Sequence, residues 1–488
     1  MRFTTETGAR AASRAEQRCG FGRIVRMFPA SDRRAPRASW SAGLLLATLL
    51  VGLACGASAD IVLRHAGDAN AWPPGTYIVP FERVGGLILF RSTLGSAARG
   101  DTSGWMLLDT GAGHLALDQR VARSLGLDPW IGEPGEVTAT RLPLERLSSG
   151  DVELSDVSPV LAIDAGPLSP RIDRPLLGLF APALLEDRTL VVDYRQGIWG
   201  AVPRGFMVRT PDTTVATIAA NQSAGSLDRV SKSRATLSTL LTTRSVAIPF
   251  RLLGDDKIVV SARIADPSPP DYSRPLTLVL DTGADACYFD QAAFRARVRT
   301  SESWPWLRDL RVATVYGEKR GAATALPSLE LLGASGSTSC SDVIAMVTDD
   351  GLLPGLERSV GERVDGLLGY TFLQHFRMLI DYPNRVLWLD RAEASLDDEA
   401  PFGLTAAGIQ VARVQDRLRI VGVAEGTEAS RALALGDEIT SIDGAATARM
   451  TLGDAQRLLE GPDGSRVRLV VRREKVEVAL ELTRRRLL

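Results

Sequence analysis

One ordered set of marks runs twice through this 488-residue chain. The first half reads Ile78-Val79-Pro80-Phe81, Asp109-Thr110-Gly111, Leu176-Leu177-Gly178, Val192-Asp193-Tyr194 and Trp199. The second reads Ala247-Ile248-Pro249-Phe250, Asp281-Thr282-Gly283, Leu367-Leu368-Gly369, Ile380-Asp381-Tyr382 and Trp388. The period is far too long for a solenoid, so the pattern predicts two homologous lobes. The interval from Asp to the Leu-Leu-Gly glycine is wider in the second half, which makes the lobes unequal partners within one chain.

Each Asp-Thr-Gly follows an apolar run, Trp105-Met106-Leu107-Leu108 or Leu278-Val279-Leu280, that reads as a buried strand. The glycine permits a tight turn straight after it, so the carboxylate sits at a strand end, held by backbone. The intervening threonine can donate its hydroxyl sideways and fix the two loops against each other. One Asp-Thr-Gly alone is an ordinary turn. Two in matching contexts place one carboxylate from each half, and two facing carboxyls that share a proton can act as base and acid on one water.

On these marks, over roughly residues 63 to 392, the chain resembles the retropepsin-like and pepsin-like aspartic proteases. The second motif, Asp281-Thr282-Gly283-Ala284-Asp285, is especially similar to the retroviral form. The resemblance implies a mainly β fold of two acid-protease β-barrel lobes and hydrolysis of peptide bonds in protein or peptide substrates without a cofactor. It implies Asp109 and Asp281 as the catalytic pair, and Thr110, Gly111, Thr282 and Gly283 as the active-site loops. Leu177, Gly178, Leu368 and Gly369 would pass behind those loops. Both halves lie in one chain, so a monomeric pseudo-dimer is expected. Such proteases close a hairpin flap, and Tyr316-Gly317 falls in the appropriate interval of the second lobe. The first-lobe candidate, 135–141, has no tyrosine, and an exposed hairpin tyrosine is the other reading of Tyr316.

The remaining composition narrows the chemistry. His65, His114 and His375 are scattered and show no metal-ligand spacing. His114 follows the first motif and reads as a structural or solvated residue bordering it. No Gly-x-Ser-x-Gly elbow or phosphate loop stands out. Residues 2 to 37 are arginine-rich, and the apolar stretch 42–53 ends in Ala57-Ser58-Ala59. This predicts a signal peptide over 1–59 cleaved after Ala59, hence a periplasmic or extracellular protein of bacterial type, with Met27 offering a start of ordinary signal length. An uncleaved membrane anchor, or lipidation at Cys55, is the alternative. Residues 1–59 hold nine of the 57 basic and three of the 58 acidic groups, so the remainder carries 48 against 55. With no basic stripe, nucleic acid is not an expected partner. Cys287 and Cys340 either pair or stay buried as thiols. Residues 201–244, rich in Ser, Thr and Ala, read as a linker between lobes at 63–200 and 245–392.

From 403 to 488 a separate α+β module is expected. Its strands fall near 410–414, 418–423, 438–442 and 467–471, and its helix over 452–459. Gly436-Asp437-Glu438-Ile439 with Asp443-Gly444 resembles the signature of PDZ domains. That likeness implies a peptide ligand held by strand addition, with Gly408, Ile409, Gln410 and Val411 at its terminus. Substrate, an adaptor or the chain's own C-terminus could fill the groove. Two functions follow: an exported aspartic endopeptidase, or a non-catalytic binding scaffold of the same fold.

Overall fold

The computed structural model describes residues 72–488 apart from 74, 130–136, 204–225, 255, 268–269, 273–274, 315–316, 335, 349–355, 357–359 and 393–400. The expected signal segment lies outside the described residues.

Two sheets built on one plan form the lobes. In lobe one the strands lie in the order Thr138–Ala139, Val160–Ile163, Leu115–Asp118, Leu176–Phe180, Gly100–Leu108, Leu87–Ser96, Leu144–Ser149 and Val152–Val157. In lobe two the order is Leu307–Thr314, Gly317–Leu326, Val343–Thr348, Cys287–Asp290, Gly366–Leu368, Leu276–Leu280, Lys257–Pro267, Leu329–Leu332 and Ser337–Cys340. Laid side by side the two orders coincide, with Leu307–Thr314 as an extra strand at the end of the second. The strands that lead into the Asp-Thr-Gly turns are buried along their last three residues, which is why they read as unbroken apolar runs.

A six-stranded antiparallel sheet joins the lobes. Its order is Tyr77–Pro80, Ile198–Val202, Thr189–Asp193, Phe376–Asp381, Val386–Arg391 and Val246–Pro249, three strands from each half. At its centre Val191 pairs with Leu379, its own counterpart in the repeat. The tryptophans, though, are not counterparts. Trp199 pairs with Val192, whereas Trp388 pairs with Leu379, one register step away. One step in a strand reverses the face. Trp199 therefore enters the core shared by both lobes, with ring centroids 5.2 Å from Phe90 and 5.3 Å from Phe180. Trp388 packs in a separate cluster with Val230, Leu237 and Leu240.

Those last three residues come from the stretch expected as linker. Residues 204–225 lie outside the described residues, but Ser226–Thr236 is a helix seated on the six-stranded sheet. Its buried Ser233 accepts from Trp388 Nε1 at 2.7 Å and donates to Asp381 at 2.5 Å. A serine-rich segment is ordered here because its hydroxyl satisfies two buried groups.

The C-terminal module is a sheet in the order Ile409–Val414, Arg417–Val423, Glu438–Ile442, Arg466–Arg473 and Val476–Thr483, covered by the helix Leu452–Leu459. Thr451 and Asp454 close a capping box at that helix's start. The buried Asp437 accepts from Ala434 N–H and from both arms of Arg473, fixing the turn before Glu438.

Candidate active site

The two Asp-Thr-Gly turns meet and bond to each other in a closed set of four hydrogen bonds. The N–H of Thr110 donates to Thr282 Oγ1 at 3.1 Å, and that of Thr282 to Thr110 Oγ1 at 2.9 Å. Each hydroxyl donates across to the strand behind the other loop, Thr110 to Leu280 O at 2.9 Å and Thr282 to Leu108 O at 2.8 Å. Both threonines are buried, at 2% and 0% exposure, so every one of these polar groups depends on the opposite lobe.

Within each loop the carboxylate is tied to its own turn. Asp109 accepts from Ala112 N–H at 3.0 Å, and Asp281 from Gly283 N–H at 2.8 Å. The glycines are required by the opposite acid. A Cβ on Gly111 would stand 2.7 Å from Asp281 Cγ, and one on Gly283 would stand 2.7 Å from Asp109 Cγ. The two carboxyls act on one another's proton affinity. Burial pushes Asp109 above the usual carboxylate range, against the opposing effects of the Asp281 carboxyl and of the Lys257 ammonium. Burial, and then the charge of Asp109, push Asp281 well above it. The pair therefore holds a proton at pH values where isolated carboxylates are ionised.

The strands behind the loops correct the predicted repeat. Asp109 N–H donates to Phe180 O and Asp281 N–H to Leu368 O, each at 3.0 Å. Phe180 and Leu368 are thus equivalent, and Gly178 matches Gly366 rather than Gly369. Both glycines lie against backbone, where a Cβ would come within 2.0 Å of Ala116 O and 2.3 Å of Tyr288 O. Leu177, Gly178 and Leu368 lie in these supporting strands, and Gly369 lies just past its strand.

A cleft of about 590 Å³ opens over the pair. Lobe one lines it with Leu87, Leu107, Leu161, Ile163 and Leu179, and lobe two with Ala284, Val312 and Leu367. His114 borders it. The hairpin of Leu307–Thr314 and Gly317–Leu326 contributes Val312, Ala313, Thr314 and Lys319 to its wall. Ala313 reaches across to pack on the apolar cluster of lobe one. Gly317 opens the return strand opposite Thr314, while Tyr316 lies outside the described residues. Residues 135 and 136 of the first-lobe flap candidate lie outside them too, and Thr138–Ala139 within it forms a two-residue strand.

Residues 96–179 match the aspartyl protease family, and residues 419–473 match the PDZ domain family. The chain joins an aspartyl protease fold to a PDZ domain. Among solved structures, basic 7S globulin from soybean is similar at 12% identity and a TM-score of 0.33, over 66% of this chain and 95% of that one. The aspartic proteinase from Irpex lacteus is similar at 13% identity and a TM-score of 0.34, over 65% and 98%. The photosystem II D1 C-terminal processing protease is 26% identical over 17% of this chain, which spans only 23% of its length, with a TM-score of 0.16. No curated protein matches the chain.

The PDZ domain uses its expected ligand loop internally. Gly408 N–H donates to Thr405 O at 2.8 Å, and Ile409 O accepts from both the N–H and the hydroxyl of Thr405. Ile409 and Val411 are core side chains of the domain, and the Gln410 side chain is fully buried. Asp173 of lobe one accepts from Leu452 N–H at the start of the groove helix, at 2.9 Å, and pairs with Arg413 at 3.2 Å. A PDZ domain is a peptide-binding module, and here part of its groove edge already carries the chain's own segments.

Four cleft residues escaped the sequence reading as functional positions. Lys257 is only 7% exposed and lines the cleft beside the carboxyl pair. Asp285 and Tyr288 hydrogen-bond to each other in the cleft wall. Burial pushes the Asp285 carboxyl up, opposed by that hydroxyl and by the Arg171 guanidinium. Arg171 crosses from lobe one to donate to Phe402 O and Arg311 O, each at 2.9 Å. Aligning the two lobes exposes three of the four, because Lys257, Asp285 and Tyr288 stand opposite Leu87, Gly113 and Ala116.

Proposed function

We propose that this chain is an exported aspartic endopeptidase in which Asp109 and Asp281 act as one unit. The observation that carries the reading is the pair of cross-bonded Asp-Thr-Gly loops, which set two buried carboxyls side by side in a cleft. With one proton on the pair, the ionised member takes a proton from a bound water, whose oxygen attacks the peptide carbonyl. The protonated member hydrogen-bonds the developing oxyanion, and the proton taken from water passes to the departing amine as the C–N bond breaks. The raised affinity of both carboxyls for protons keeps this singly protonated form present above the usual carboxylate range.

The apolar lining on both sides of the pair favours a peptide with aliphatic or aromatic side chains flanking the cut bond. The lobe-two hairpin, lying against the cleft, would exclude water around it. The PDZ domain would recruit protein or peptide partners, and the arginine-rich and apolar N-terminal sequence supports export. The test is cleavage of a diverse peptide library by the chain from Asp60 onward, between about pH 3 and 7. Asp109→Asn should lower cleavage by about 10³-fold or more while circular dichroism shows the fold retained. A folded wild-type chain that cuts nothing at any pH would replace the protease with a binding scaffold.

A further inference from the structure

The hairpin that walls the cleft is gripped midway along its first strand by a residue of the PDZ domain. Gln410 Oε1 accepts from Arg311 N–H at 2.9 Å, and Gln410 Nε2 donates to Arg311 O at 2.8 Å. Its carboxamide thus pairs with the main chain of Arg311 as a neighbouring strand would. The same Nε2 also donates to Phe402 O at 2.8 Å. Arg311 lies in Leu307–Thr314, immediately before the cleft-lining Val312, Ala313 and Thr314.

Two further features mark the grip as built. Gly422, on the strand beside Gln410, has no side chain where the carboxamide sits, and a Cβ there would stand 2.0 Å from Gln410 Oε1. Phe402, whose carbonyl shares the Gln410 amide, is held in a left-handed backbone conformation (φ 48°) with its ring 1% exposed. Phe402 belongs to one buried apolar cluster with Ala284, Tyr288, Val312 and Leu367, all of which line the cleft. Arg171 bonds the same two carbonyls from lobe one, so three parts of the molecule converge on Arg311 and Phe402.

We propose that Gln410 is a positioning residue for the lobe-two hairpin, so that the PDZ domain braces one wall of the substrate cleft from behind as well as binding peptides. The consequence for cleavage rests on the protease reading above; the consequence for the hairpin does not. Gln410→Leu removes all three hydrogen bonds at similar volume. Gln410→Glu is nearly isosteric: its protonated form keeps an acceptor and a donor, and its ionised form keeps none of the donors.

The experiment is hydrogen exchange of amides 307–326 in the full chain, read beside peptide-cleavage kinetics. In Gln410→Leu these amides should exchange about 10-fold faster or more, while Thr189–Asp193 and Phe376–Asp381 in the joining sheet stay unchanged. Cleavage should weaken through KM, with the pH profile of kcat kept because the carboxyl pair is untouched. Gln410→Glu should hold the hairpin at acid pH with one hydrogen bond fewer than wild type and loosen it further as pH rises. If Gln410→Leu does not fold, this pH-dependent loosening is the deciding result. Unchanged hairpin exchange in a folded variant, or a shifted kcat profile, overturns the proposal. If wild type cuts no peptide, the protease reading fails, and the exchange result alone still decides the role of Gln410.

Discussion

The two lobes agree strand for strand around the carboxyl pair and disagree along the cleft wall. The four bonds that cross between the Asp-Thr-Gly turns come in mirror-image pairs, and each glycine stands at the same distance from the opposite acid. Away from the turns, Leu87, Gly113 and Ala116 of lobe one face Lys257, Asp285 and Tyr288 of lobe two. Lobe two carries a full hairpin, Leu307–Thr314 with Gly317–Leu326, where lobe one has only Thr138–Ala139 among its described residues. The duplicated chemistry tolerates no divergence because each half completes the other's hydrogen bonds. The walls have no such obligation, and lobe two has used its freedom to recruit Arg171 and the PDZ domain.

This contrast can be broken at the symmetric positions. Gly111→Ala and Gly283→Ala should each lower kcat by about 10²-fold, because a displaced carboxyl misaligns the pair; steady-state kinetics of the two variants should agree closely. Unequal losses would show that the lobes are not functionally equivalent. Thr110→Val and Thr282→Val each strand buried partners in the opposite lobe. Each should cost about 2–4 kcal/mol in denaturant unfolding, and the double variant should lose less than the sum, since the bonds are shared.

The asymmetric positions sharpen it. The Lys257 ammonium favours the ionised form of both carboxyls and so lowers their proton affinity. Lys257→Leu installs the residue that lobe one has at Leu87. Both carboxyls then bind protons more tightly, and both limbs of the pH–kcat/KM profile should move to higher pH. A profile that stays in place would mean the ammonium is too well solvated to act on the pair.

Much of this was legible in the sequence. The Asp-Thr-Gly turns, the Pro-Phe strands and the C-terminal module announce themselves, because each depends on local geometry that few residues satisfy. The supporting strands were legible only to within a few residues. Leu367-Leu368-Gly369 mimics Leu176-Leu177-Gly178, but register selects Gly366, since Asp281 N–H bonds Leu368 O as Asp109 N–H bonds Phe180 O. Trp388 was matched to Trp199 because one register step is invisible in a string, although it reverses the face in a sheet. Lys257 belongs to no motif of the sequence, and only its pairing with Leu253 shows that it stands in the cleft wall. The helix Ser226–Thr236 has linker composition, and the buried partners of Ser233 together with the packing of Val230 explain its order.

The central ladder of the joining sheet carries a consequence for how the chain is made. Val191 pairs with its own counterpart Leu379, so the edge of Thr189–Asp193 is nearly self-complementary. During synthesis that edge emerges well before Phe376–Asp381 exists to cover it. A half-made chain therefore offers a second copy of itself almost the same pairing that the finished chain makes internally. Folding is then a race between slow closure of a distant contact and association of two nascent chains, and dilution favours the monomer.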